Sequence, residues 1–343
     1  MYRFVNSLCL GRDARTRGVP WRPTWRPTWR QTCGPIWGLL ALALLSLSLP
    51  AAAGEPGPLV EAPAAGSGAC AEPPQGRWRI VGQRRLPAEI YLQGFEIDAA
   101  GRWWLSGGRY GESALWTLPP QGSPRRPRRQ ALPEHIFAEG LSRREGASWI
   151  LSWRAGELRR WADGAPAAEV VARYAGQGWG LAWVPERETF VMSNGGNQLQ
   201  WRAAADFALQ AQTPVRRGRV PVPWLNELEW QAGALWANVW RSDELLRIDP
   251  DSGCVTLVLD LAGLWPPGER PRRAEVLNGV AVDPRDGQLW VSGKLWGRAF
   301  ALDWQAPGQE WQPSMRDEQP PDQDDPPTAE GQPAARDQTA APD

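Results

Sequence analysis

Lysine is nearly missing from this chain: Lys294 stands alone against thirty-seven arginines. Surface positions mostly accept either cation, so the composition reports a drift to arginine wherever both serve. An ammonium is a compact point charge on a thin stem, whereas a guanidinium is a wide planar fork. The one retained lysine therefore marks a candidate confined site that the fork does not fit. Histidine is as scarce, with His135 its single representative. The four cysteines, Cys9, Cys33, Cys70 and Cys254, form no Cys-x-x-Cys pair. A zinc site needs three or four clustered Cys, His or carboxylate ligands, so neither a catalytic metal nor a cofactor is expected. A basic excess is missing too. Residues 54–304 hold 29 basic and 28 acidic residues, which excludes the basic stripe of a nucleic-acid binder.

Charge is instead segregated at the ends. Residues 1–53 carry seven arginines and one acid, and residues 305–343 carry two arginines and nine acids. The apolar run from Ile36 to Leu49 is too short to span a bilayer comfortably and suits the core of an export signal. Arginines precede it and Ala51, Ala52 and Ala53 offer a cleavage site. We read residues 1–53 as a signal peptide with a long n-region, and the protein as exported, periplasmic or secreted, with no membrane span left after cleavage. An uncleaved signal anchor is the competing reading of the same residues. Residues 54–76 read as a linker. The Pro-, Gln- and Asp-rich stretch 305–343 buries too little apolar surface to fold and reads as a disordered acidic tail. Cleavage leaves Cys70 and Cys254, which form a disulfide in an oxidising compartment or remain two isolated thiols.

The middle of the chain repeats itself. Each of five units opens near a glycine, runs through a short alternating strand, turns, and resumes in an aromatic-rich strand. The second-strand aromatic falls at Trp104, Trp149, Phe190, Trp236 and Trp290. Four short strands per unit of about 40–50 residues is the pattern of a propeller blade. An all-β, five-bladed β-propeller over residues 77–304 is expected, and it reads as a monomer.

Aligned units place side chains. Just before each opening glycine or its equivalent lies a column of Gln93, Glu139, Trp179, Asn226 and Asn278. Four residues past each aromatic lies a second: Gly108, Trp153, Asn194, Trp240 and Lys294. In an antiparallel hairpin the start of one strand faces the end of the next. Both columns therefore meet at one mouth, and the lone lysine shares it with a lone carboxylate.

Several stretches carry a resemblance: Leu225-Asn-Glu-Leu-Glu-Trp230, Ala237-Asn-Val-Trp240, Leu277-Asn-Gly-Val280, Ser292-Gly-Lys-Leu-Trp296, Phe137-Ala-Glu-Gly-Leu141 and Gly178-Trp-Gly-Leu181. From about Gln93 to Leu302 the chain resembles the glutamine cyclotransferase family, the plant and bacterial type of glutaminyl cyclase. The resemblance implies a five-bladed propeller that converts N-terminal glutaminyl residues of peptides and proteins to pyroglutamyl, releasing ammonia, without the zinc of the animal-type enzyme. Around Leu105-Ser-Gly-Gly-Arg109 the chain departs from the family pattern, losing a glutamate and replacing a leucine with Arg109.

Ring closure within one molecule leaves the enzyme mainly to select the folded-back rotamer. Trp153, Trp179 and Trp240, with Phe137, Tyr91 and Asn278, are the expected substrate contacts. Glu139 is the expected proton shuttle, its pKa lifted by the surrounding rings toward roughly 6–7. Gln93, Asn226 and Lys294 are the expected donors to the developing oxyanion and amide. The sequence does not say which of them touches oxygen and which the peptide backbone, and holding the Glu139 carboxylate ionised is the alternative role of Lys294. Two other classes compete: a non-catalytic propeller that captures peptides at a tryptophan-lined mouth, and a calcium-dependent lactonase-type propeller. The second wants several convergent carboxylates where the columns hold one.

Overall fold

The innermost strands are buried on both faces almost along their whole length, so they must be covered on both sides. The computed structural model, which describes residues 69–309, satisfies this by stacking five four-stranded antiparallel sheets as propeller blades. The first blade comprises Leu92–Ile97, Trp103–Gly107, Ala114–Leu118 and Arg128–Ala131, and the second Ala138–Arg144, Ala147–Ser152, Glu157–Ala162 and Glu169–Arg173. The third comprises Leu181–Val184, Thr189–Met192, Gln198–Ala203 and Leu209–Pro214, and the fourth Leu225–Gln231, Ala234–Val239, Glu244–Ile248 and Val255–Asp260. The fifth takes Leu277–Val282, Leu289–Gly293 and Arg298–Gln305 from the end of the fold and borrows Arg77–Arg85 from its beginning. That borrowed strand pairs antiparallel with Arg298–Gln305 and closes the ring. Repeat alignment did not show this closure, because the borrowed strand precedes the first unit.

Burial falls from axis to rim. Leu92, Phe95 and Leu105 of the first blade are fully buried, whereas its outermost strand, Arg128–Ala131, is largely exposed. The repeated aromatics fill the seams between blades: Trp103 meets Trp290 at 4.7 Å between ring centroids, Trp149 meets Phe190 at 5.2 Å, and Trp236 meets Trp304 at 4.9 Å. Edge and tilted contacts of this kind add to area burial. Residues 69–76, expected as linker, dock on the outer edge of the fourth blade. Gly76 N donates to Val258 O and Val258 N to Pro74 O, and Cys70 is bonded to Cys254 with their Cα atoms 5.5 Å apart. The expected signal segment, the first part of the linker and residues 310–343 of the tail lie outside the described residues.

The inner strands approach so closely that the repeated glycine has a steric cause. A Cβ on Gly140 would sit 2.6 Å from Leu181 N and from Trp179 O, and one on Gly180 would collide with Asn226 O. In the fourth blade this position is Glu227, fully buried, with its carboxylate accepting from Phe95 N at 3.1 Å and Val280 N at 3.3 Å. Beside it along the axis, Glu229 accepts from Val282 N at 3.0 Å, and Glu96 accepts from Ser142 Oγ at 2.8 Å and Arg143 N at 3.1 Å. Innermost strands have no further strand on the axial side, so these carboxylates occupy otherwise unpaired N–H groups.

Burial pushes Glu96 up to about 7 and holds Glu227 and Glu229 well above the usual carboxylate range, with mutual repulsion adding to the last two. A folded state with raised carboxylate pKa values binds more protons than the unfolded chain between the ordinary value and the raised one. Stability must then fall as pH rises through that window. The midpoint of thermal unfolding is expected to fall between pH 5 and pH 8, and Glu229→Gln, which keeps an acceptor for Val282 N, is expected to flatten the fall. A wild-type midpoint that holds level or rises over that range contradicts this assignment.

Candidate active site

Four of the five innermost hairpins carry a register shift where the first column lies: Leu92/Gly94, Ala138/Leu141, Leu225/Leu228 and Leu277/Val280. Bulges bend a strand and re-aim its side chains. Gln93, Glu139 and Asn226 are thereby turned into a cleft of about 450 Å³ at one end of the axis. Its other walls are Tyr91, Phe137, Trp153, Trp179, Trp240 and Lys294. Nine residues from every blade but none from the outer strands meet here, as the two columns imply.

Asn278 is a correction. It is fully buried and does not line the cleft. Its Nδ2 donates to Leu92 O at 3.0 Å and to Gln93 Oε1 at 3.2 Å. It therefore holds Gln93 with the amide oxygen turned back, which leaves the Gln93 NH₂ for the cleft. Asn194 is also outside the lining; its Oδ1 accepts from Gly196 N in a local turn.

Glu139 and Lys294 are the two charges of the cleft, 6% and 5% exposed. Among the described residues neither side chain has a hydrogen bond or ion pair, with the other or with any third group. Lys294 Nζ lies over the Tyr91 ring, 4.9 Å from its centroid. Burial pushes the Glu139 carboxyl up to about 8 even though the Lys294 charge pulls it down. This exceeds the range expected from the sequence, because the cleft encloses the carboxyl without giving it a donor. Burial lowers the Lys294 pKa, opposed by Glu139 and Glu275. The Asn226 side-chain amide is likewise uncommitted, with a buried Oδ1 that has no partner among the described residues.

The aromatic walls are oriented by contacts that sequence reasoning missed. Gln177 Oε1 accepts from Trp153 Nε1 at 2.7 Å and from Trp179 Nε1 at 3.0 Å. One amide thus sets two rings contributed by different blades. Trp179 in turn meets Trp240 edge-on at 5.8 Å, and Trp153 meets Phe137 at 5.4 Å. Tyr91 donates its hydroxyl to Glu275 Oε2 at 3.0 Å. Gln177 lies outside both columns, in the loop entering the third blade, and its one sequence signal is its place between Gly176 and Gly178.

The chain is similar to known proteins. Residues 55–304 match the glutamine cyclotransferase family. A glutaminyl-peptide cyclotransferase of Arabidopsis thaliana is 35% identical over 129 residues, which are 36% of this chain and 39% of that protein. The chain thus spans well under half the length of that relative in the match. The crystal structure of a Myxococcus xanthus glutaminyl cyclase is 32% identical, covers 68% of this chain and 99% of its own, and superposes with a TM-score of 0.58.

Removing the shared acceptor leaves two half-buried indole N–H groups without a partner. Gln177→Leu is expected to lower the unfolding free energy by about 1–3 kcal/mol, measured by denaturant titration. Gln177→Glu, which retains the acceptor, is expected to lose less; equal losses would refute the two-indole role.

Proposed function

Given that the chain belongs to the glutamine cyclotransferase family, we propose that it is a glutaminyl-peptide cyclotransferase. It takes peptides and proteins with an N-terminal glutamine and transfers the acyl group within the molecule, from the side-chain nitrogen to the α-amine. The observation that carries the reading is a lone buried carboxyl opposite a lone buried ammonium inside an aromatic-walled cleft. The cleft is of the size that holds one residue and its neighbours, and flat indole faces suit a short side chain folded back on itself.

In the reaction the α-amine nitrogen bonds to the side-chain amide carbon, and the bond from that carbon to the amide nitrogen breaks. One proton leaves the amine and one reaches the departing ammonia, so a group that gives and regains a proton completes the balance. Glu139, with a pKa near that of an α-amine of about 8, matches the task because transfer in either direction is nearly level. The developing oxyanion is met by donors already in place: the Gln93 NH₂ held by Asn278, and the Lys294 ammonium. The Asn226 amide has both ends free for the substrate backbone. No metal is invoked, since the donor set of the cleft is one carboxylate, one amine and amides. Export agrees with the bonded Cys70–Cys254 pair, because such bonds persist in oxidising compartments.

The experiment is ammonia release from a Gln-initiated dipeptide in the presence of a strong chelator. Wild-type protein is expected to turn over there. Glu139→Gln should remove nearly all turnover with the fold intact, and wild-type-like activity in that variant would sink the shuttle. Lys294→Arg should cost at least about tenfold in kcat/KM, equivalent to about 1.4 kcal/mol, because a wide planar fork in place of the compact ammonium takes up space that the substrate would fill. Lys294→Met should cost more.

The pH profile carries a separate expectation. The reactive pair holds one proton shared between amine and carboxyl, so kcat/KM should fall below the amine pKa and fall again as free Glu139 ionises above about 8. Lys294 lowers the Glu139 pKa, so in Lys294→Met the alkaline limb should move to higher pH. A limb that stays in place separates Lys294 from Glu139.

A further inference from the structure

Three arginines stand at the rim of the cleft, each over an aromatic residue that lines it. Arg109 lies 4.4 Å from the Tyr91 ring centroid, Arg154 lies 3.8 Å from that of Trp153, and Arg241 lies 4.4 Å from that of Trp240. Arg109 has carboxylates nearby, Glu275 at 3.6 Å and Glu112 at 4.0 Å. Arg154 and Arg241 are exposed and have no ion pair or hydrogen bond to their side chains among the described residues. Stacking fixes each guanidinium in place while leaving its edge donors free. Two exposed aromatics extend the same rim: Tyr110, 5.4 Å from Phe137, and Trp224, 6.0 Å from Trp240. Arg109, Trp224 and Arg241 all adopt positive φ, at 102°, 62° and 65°. That conformation costs an L-residue about 1–3 kcal/mol.

We propose that Arg154 and Arg241 are specificity-determining residues that bind acidic side chains in the two or three positions after the N-terminal glutamine, making the preferred substrate a Gln-initiated acidic peptide. The inference rests on the cyclotransferase reading of the cleft. An extended chain advances about 3.3 Å per residue, and both arginines follow directly on cleft tryptophans. The residues after the glutamine therefore leave the cleft between them. Free guanidinium forks donate paired hydrogen bonds to carboxylates, and the exposed aromatics supply a surface for the peptide backbone to lie on. Exposed charges act on encounter and on weak binding and are screened by salt, so the preference should appear in KM and fade as salt rises.

The test compares three amidated tripeptides, Gln-Ala-Ala, Gln-Glu-Glu and Gln-Lys-Lys, as substrates of the full chain. At low salt kcat/KM for the acidic peptide is expected to exceed that for the lysine peptide by about tenfold or more, mostly through KM, and the gap should shrink to about threefold or less in 0.5 M NaCl. The double variant Arg154→Glu/Arg241→Glu should invert the order, and Arg154→Gln/Arg241→Gln should level it, each with a melting midpoint close to wild type. Equal turnover of acidic and lysine peptides, or a preference that survives both double variants, overturns the proposal. A synthetic peptide of residues 316–343 that inhibits while the substrates go unranked would assign the arginines to the chain's own acidic tail and also overturn it. The same three peptides are titrated calorimetrically into the Glu139→Gln protein. If wild type turned over none of them, the cyclotransferase reading would fail, while the order of the dissociation constants would still decide the role of the arginines.

Discussion

Neighbouring blades touch backbone to backbone at the axis, and the rest of the molecule is arranged around that contact. Among the hydrogen bonds between blades, one can be followed across each of the five seams. Ser106 Oγ donates to Glu139 O, Gly140 N to Trp179 O, and Ser193 Oγ to Asn226 O. Gly279 N donates to Asn238 Oδ1, and Asn278 Nδ2 to Leu92 O. Four of the five bond the carbonyl of a cleft residue or the backbone directly beside one. The residues that carry the site therefore also hold the blades together through their backbone, and the site cannot loosen without opening the ring. Preorganisation of this kind is what electrostatic stabilisation of a transition state requires.

Charge in the cleft follows from the same closeness. Tight inner strands and aromatic walls leave Glu139 and Lys294 desolvated, and neither has a neutralising hydrogen bond. Their pKa values are driven toward each other, the carboxyl up and the ammonium down. A direct ion pair would have reversed both shifts. Deeper along the axis, Glu227 and Glu229 are buried and Glu96 is half-buried, but they accept backbone N–H bonds and are not part of the cleft lining. Burial thus produces two populations of raised carboxylates from one architecture: one that binds the blades, and one that is left free to exchange a proton.

Between the two lies a division of labour among the aromatics. Rings on the second strands, such as Trp236 and Phe190, are sealed in the seams and contribute packing, with Trp236 Nε1 also donating to Gln231 Oε1 at 2.8 Å. Rings four residues later, Trp153 and Trp240, emerge at the mouth, where one face meets the cleft residues and an arginine covers the ring. Gln177 and Tyr91 tie this outer set to polar partners. Wall and rim are coupled at Arg154, which lies over Trp153, an indole whose own orientation is set by the Gln177 amide.

The repeat of aromatics, the glycine spacing and the two columns were enough to read five blades and to bring Gln93, Glu139, Trp153, Trp179, Asn226, Trp240 and Lys294 to one mouth, because strand periodicity and hairpin pairing are local rules. The lone lysine was legible for a different reason, since composition alone separates a retained residue from a drifting background. What stayed hidden depends on contacts between residues far apart in the chain. The borrowed strand Arg77–Arg85 meets its partner across the whole domain. Gln177 bonds two rings from a loop outside the aligned units, and Asn278, although in a column, is turned behind Gln93 by its bond to the first blade. Residue types and their periodicity thus determined which side chains reach the axis. Only the closed ring decided which of them face the cleft, which are spent on holding neighbours, and how strongly burial shifts Glu139, because desolvation is a property of everything packed around a group and not of its place in the sequence.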